Sequence, residues 1–141
     1  MANYCVVNDS TTFVVNRIVW DGVTPYNPGA GVTLVASEIG QIGDKYESSK
    51  FYYYDDWTDV KNISGATQAN PVVISCSTHG FSNGDTVKIR DVVGMTELNN
   101  LEFTVANSAL DTFELSGING TGYAAYVSGG TSTKCVWTER T

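Results

Sequence analysis

The sequence predicts an all-β protein made of two small modules, and three observations carry that prediction. Charged residues are only 16% of the chain against 42% hydrophobic. Solvated faces must therefore be built from Ser, Thr, Asn and Gly, the material of strands and turns. No stretch repeats apolar residues at the i, i+3, i+4, i+7 spacing of an amphipathic helix. Short β-rich segments recur instead at intervals of about 8–12 residues, the signature of a sandwich or barrel.

In order, strands are expected at Tyr4 to Val7, Thr12 to Trp20, Val32 to Ala36, Lys45 to Tyr46 and Phe51 to Tyr54. Their separators carry turn residues, as in Asp21-Gly22 and Tyr26-Asn27-Pro28-Gly29. The second half gives Pro71 to Ser77, Thr86 to Asp91, Leu101 to Ala106, Thr112 to Ser116, Tyr123 to Val127 and Thr133 to Thr138. Turns at Ser82-Asn83-Gly84-Asp85, Asn119-Gly120-Thr121-Gly122 and Ser128-Gly129-Gly130 divide them. Thr96 to Asn99 alone can form a short helical turn.

Alternation supplies the faces. Val87 and Ile89 point inward, Phe103 and Val105 oppose Glu102 and Thr104, and Phe113 and Leu115 alternate with Thr112, Glu114 and Ser116. The boundary falls between Asp55 and Lys61. It gives an N-terminal β-meander module (residues 1–58) and a C-terminal small β-barrel or sandwich (residues 59–141). Each is small enough that assembly is expected to supplement its core.

Charge excludes several function classes. A net charge of −7 opposes nucleic-acid binding, which draws its affinity from Lys and Arg releasing counterions, and opposes anionic membranes equally. No run approaches the roughly 18 apolar residues of a membrane span, so no membrane insertion is expected. The N-terminus has neither a basic region nor a sustained apolar region, so no secretory signal is expected. Cys5, Cys76 and Cys135 are far apart and odd in number, which points to buried thiols made in a reducing cytosol.

Candidate chemistry is sparse. Asp55-Asp56-Trp57-Thr58-Asp59 has the spacing of a DDxxD diphosphate-chelating element. That element needs a helical face in a larger all-α cavity, so a solvated linker is the better reading here. His79, the single histidine, could pair with Ser77 or Ser82. No Gly-x-Ser-x-Gly element accompanies it, and a strand corner is expected at His79-Gly80. Gly117-Ile-Asn-Gly120-Thr-Gly122 lacks the following helix and Lys of a phosphate cradle. No catalytic residue, metal or cofactor is expected.

The aromatic strand Phe51-Tyr52-Tyr53-Tyr54 and the nearby Trp57 carry more weight. Alternation puts Phe51 and Tyr53 on one face and Tyr52 and Tyr54 on the other. With one face in the core, the other tyrosines are left for a subunit interface or for stacking on sugar rings. The candidate contact residues are Tyr52, Tyr54, Trp57, Trp20 and Trp137.

Two stretches carry a resemblance. Asn16-Arg-Ile-Val-Trp20-Asp21-Gly22 through Pro28-Gly29, with Ile42-Gly43-Asp-Lys-Tyr46, resembles a small β module of tailed-bacteriophage virion and tail-fibre-associated proteins. Ile63-Ser-Gly-Ala-Thr through Pro71-Val-Val-Ile74, His79-Gly80-Phe81-Ser-Asn-Gly84-Asp85, Gly94-Met95-Thr-Glu97-Leu98-Asn99 and Thr112-Phe113-Glu114-Leu115-Ser116-Gly117 form the second stretch. They resemble the β-barrel module of phage tail proteins that is similar to the first catalytic cysteine half-domain of ubiquitin-activating enzymes. In that enzyme the half-domain is a structural barrel, so the resemblance implies no ubiquitin chemistry and no nucleophilic role for Cys76.

The resemblance implies a non-enzymatic structural component of a bacteriophage virion (tail, tail fibre or capsid decoration), made in the host cytoplasm. Its expected partners are other virion proteins and further copies of itself, with a homotrimer favoured. The alternative is a carbohydrate-binding module that recognises a host-surface glycan.

Overall fold

The computed structural model describes residues 2–141. It is all-β. The strands are β1 (Ala2–Asn8), β2 (Val14–Trp20), β3 (Val32–Ala36), β4 (Lys45–Glu47), β5 (Lys50–Asn62), β6 (Gly65–Ala66), β7 (Val73–Ser75), β8 (Thr86–Val93), β9 (Leu101–Ala106), β10 (Thr112–Leu115) and β11 (Ser128–Glu139). A 3-10 turn at Thr96–Leu98 stands where the sequence predicts a helical turn. Two compact units result. The first holds the residues up to Asp55 together with Trp137–Thr141, and the second holds Asp56–Val136.

In the first unit, β1 pairs antiparallel with both β2 and β3, so the sheet runs β2-β1-β3. This corrects the predicted meander. Cys5, Val6 and Val7 are buried at three consecutive positions, so β1 takes the centre, while β2, carrying Asn16 and Arg17, takes an edge. The β1–β2 turn is set by Asn8, whose Oδ1 accepts from the Ser10 and Thr11 N–H groups at 3.0 and 2.9 Å. Such an Asx turn gives the chain an alternative to continuing the ladder. A bulge falls between Val6 and Val7. Cys5, Val7, Val14 and Phe51 form the core, with Val35 and Tyr46 against it. Gly40 makes that packing possible, because a Cβ there would lie 2.6 Å from Cys5 Sγ.

In the second unit, the antiparallel order is β11-β8-β9-β10-β7-β6. Two consecutive residues close it into a small barrel. Ile63 N–H donates to Gly130 O at 2.9 Å on β11, and Ser64 N–H donates to Ser75 O at 2.8 Å on β7. Closure removes exposed sheet edges. Inside lie Val72, Ile74, Val87, Ile89, Met95, Leu98, Val105, Phe113 and Leu115, all essentially inaccessible. The inward positions Val87, Ile89, Phe103, Val105, Phe113 and Leu115 are those that alternation predicts.

Three local expectations are corrected. Residues 55–59, read as a solvated linker, lie within β5, because the carboxylate that breaks the pattern, Asp56, is buried against a cationic partner. Tyr123 to Val127 is not a strand. Its polar groups go elsewhere: Gln68 Nε2 donates to Tyr123 O at 2.7 Å, and Ala124 N–H donates to Glu97 Oε1 at 2.8 Å. Finally, Trp137–Thr141 pack with the first unit, where the sequence expectation assigned them to residues 59–141. The structural division at Asp55/Asp56 stands three residues before the predicted 58/59 boundary.

Candidate interaction surface

Strand alternation in β5 places Phe51 in the core, with Tyr52 and Tyr53 half-buried and Tyr54 exposed. Antiparallel pairing sets Lys45 of β4 opposite Tyr52, and Lys45 also bridges to Phe13. Trp137 packs its indole against Tyr54 at 5.0 Å and against Phe13 at 5.6 Å. The three rings remain 37–38% exposed. An aromatic cluster that stays this accessible is more than a residue packed singly on a surface. Sequence reading singled out Tyr54 and Trp137 but missed Phe13, whose position beside the β1–β2 turn carries no periodic signal.

The other candidates fall elsewhere. Trp20 is half-buried in a separate group, edge-on to Tyr4 at 5.3 Å and tilted against Tyr26 at 6.1 Å. Its indole N–H donates to Thr24 O at 2.7 Å, so it anchors the loop after β2. Trp57 belongs to the second unit and is 71% exposed. Its ring lies 3.7 Å above the Arg90 guanidinium, a stacked cation–π contact.

Arg90 is itself fixed from below. Its Nη1 donates to Asp56 O at 2.7 Å, and its Nη2 lies 2.9 Å from Asp56 Oδ2. Lys88 Nζ reaches the same carboxylate at 3.4 Å. Asp59 pairs with Lys61 at 3.3 Å. The acidic run is thus partly neutralised by cations of its own unit, and no group of three metal-ligating side chains occurs among the described residues.

His79 is 1% exposed. Its Nδ1 accepts from Phe81 N–H at 2.9 Å, while Nε2 stands 3.0 Å from Thr112 O. A carbonyl only accepts, so Nε2 carries the proton and the tautomer is fixed. Both ring nitrogens are committed to the backbone, and the ring packs on Phe81 and Phe113. It holds the strand corner together.

All three cysteines are buried. Burial pushes the Cys5 and Cys76 thiols above the ordinary cysteine range, because the thiolate would lose its hydration.

The first unit also has a shallow cleft of about 380 Å³, rimmed by Ser37, Glu38, Ile39, Lys50 and Glu139. Arg140, which also lines it, is committed to Asp44 through Nε and Nη2 at 2.5 and 3.0 Å. This cleft offers little unengaged recognition chemistry.

Against this geometry the comparisons are narrow. No curated protein matches the chain. Residues 68–135 match the family model described as the ubiquitin-activating enzyme E1 FCCH domain, which covers most of the barrel formed by the second unit. The barrel of this chain is FCCH-like in fold.

Proposed function

We propose that this chain is a non-enzymatic structural component of a tailed-bacteriophage virion (tail, tail fibre or capsid decoration) that works by protein–protein assembly, as a homotrimer. The observation that carries the reading is the Phe13–Trp137–Tyr54 cluster. Aromatic rings held by their neighbours and still accessible lose little side-chain entropy on docking, and such residues dominate interface energetics. The FCCH-like barrel fits a structural role, and His79, bound at both nitrogens by the fold, supports no general-base chemistry.

Mass spectrometry of purified particles from the phage encoding this chain tests the placement. The expected result is stoichiometric peptides, with hundreds of copies for a decoration and a few to tens for a tail or fibre. Absence from the particle overturns the reading. The double variant Tyr54→Ser/Trp137→Ser should lose incorporation while its barrel retains wild-type circular dichroism. Incorporation at wild-type copy number would reject the aromatic face as the contact.

A second reading rests on Trp57. An exposed indole braced by Arg90 is a preorganised platform of the kind that stacks on sugar rings. A glycan array with the full chain, compared with Trp57→Ala, decides it.

A further inference from the structure

We infer that the outer edge of β2 is a self-association site, where a second copy of this chain adds its own β2 antiparallel to form a continuous sheet. The direction of the backbone groups carries the argument. Ser37 N–H donates to Asn3 O at 2.9 Å, so Asn3 turns its backbone groups toward β3, and Cys5 does the same by alternation. Tyr4 and Val6 then turn theirs toward β2, where they stand opposite Ile18 and Asn16. The residues between and beyond on β2, Arg17 and Val19, present N–H and C=O away from β1.

Two observations agree with that direction. Arg17 N–H takes the Oδ1 of its own neighbour Asn16 at 2.8 Å in place of a strand partner. Among the described residues, no backbone group hydrogen-bonds Val19 on that side. The open stretch starts past Val14, whose N–H and C=O are taken by Asp44 and Gly43.

The edge is complementary to itself. Pairing about a two-fold axis at Ile18 sets Arg17 opposite Val19 of the second copy, and Val19 opposite its Arg17. The two pairs exchange about four backbone hydrogen bonds. Ile18 meets Ile18, and Val19, 63% exposed in the single copy, is covered. An axis at Arg17 would oppose like charges and is disfavoured.

Net charge points to the same occupant. In a chain of net charge −7, β2 contains no acidic residue, so two copies meet there without carboxylate opposing carboxylate. β2 contains no proline, and its one charged residue, Arg17, is half-buried with Nη1 donating to Gln41 Oε1 at 3.3 Å, so the charge that could blunt the edge is held by its own unit. The opposite edge, β3, has no exposed large hydrophobic residue, whereas β2 has Val15 and Val19. This site is separate from the aromatic face and does not rest on it.

The test is light scattering of the full chain across the micromolar range, with amide hydrogen exchange read at low and high concentration. The expected result is a concentration-dependent doubling of the mass, monomer to dimer or trimer to hexamer, in which the Arg17 and Val19 amides slow at least about tenfold as it forms. Val19→Pro removes an outward N–H that β1 does not use, and Val19→Lys adds an edge charge. Each should weaken association about tenfold or more with the melting point of dilute protein unchanged.

Val19→Lys and the exchange measurement carry the test if the proline variant fails to fold. A chain monomeric throughout, or Arg17 and Val19 amides exchanging equally fast at both concentrations, overturns the proposal. A trimer broken by Tyr54→Ser/Trp137→Ser and indifferent to both Val19 variants ends this inference while leaving the aromatic face standing.

Discussion

Cys76 and Ser132 show what burial does to single polar groups. Both are wholly inaccessible. The thiol responds by holding its proton, so iodoacetamide should label Cys5 and Cys76 slowly in native protein and quickly in urea; rapid native labelling would contradict their burial. The sign of the pH effect follows. Folded thiols keep their protons to higher pH than unfolded ones, which titrate near about 8.5. Their stabilising contribution is therefore complete below that value and is lost as pH rises through the raised folded value. Urea midpoints should fall in the alkaline range, and Cys76→Ala should flatten that fall. Ser132 has no such escape: its Oγ has no hydrogen-bond partner among the described residues. Ser132→Ala removes a desolvated hydroxyl and should be neutral or stabilising by about 1 kcal/mol in a urea melt.

At the scale of elements, the end of β8 decides how the chain returns to β11. Gly94 has φ +95°, and a Cβ there would stand 2.2 Å from Ala125 O and 2.7 Å from Val127 N. That close crossing, with Val127 N–H donating to Val93 O at 2.9 Å, lets residues 123–127 run over the barrel without being a strand. Gly94→Ala should cost about 3 kcal/mol, from backbone strain and overpacking together. Gly80→Ala meets no atom within 4 Å at φ +71° and should cost only about 1–2 kcal/mol. Equal thermal shifts for the two variants would refute the steric account. Asn99 works at the same scale. Its Oδ1 and Nδ2 pair with Val92 N–H and C=O at 2.8 and 2.9 Å, standing in for a strand where β9 has not yet begun.

For the whole molecule, the telling contact joins the C-terminal residues to the first unit. Asp44 is 2% exposed, and its charge is balanced by Arg140, 96 residues away in sequence. Arg140 N–H also donates to Phe51 O at 2.8 Å. Arg140→Leu strands a buried carboxylate. The expected loss is about 2–3 kcal/mol, below the value for a fully buried pair because the Arg140 side chain is 31% exposed. Hydrogen exchange should show faster opening of β1–β3, with the barrel amides β8–β10 unchanged. Adding Asp44→Asn should recover part of the loss, and no recovery would mean the ion pair is not its source.

The sequence by itself determined the all-β class, most strand positions and the inward set of the barrel, because these depend on alternation and turn chemistry within a few residues. Alternation alone places Val87, Ile89, Phe103, Val105, Phe113 and Leu115 inside. The candidate surface was half legible: aromatic composition marked Tyr54 and Trp137, but Phe13 joins them only through contacts distant in sequence. Only the tertiary structure put β1 at the centre of its sheet, turned residues 55–59 into strand by burying Asp56 against Arg90, and returned Trp137–Thr141 to the first unit. Those outcomes rest on which groups meet after loops close, on ion pairs and backbone hydrogen bonds spanning tens of residues, and local pattern carries no record of them.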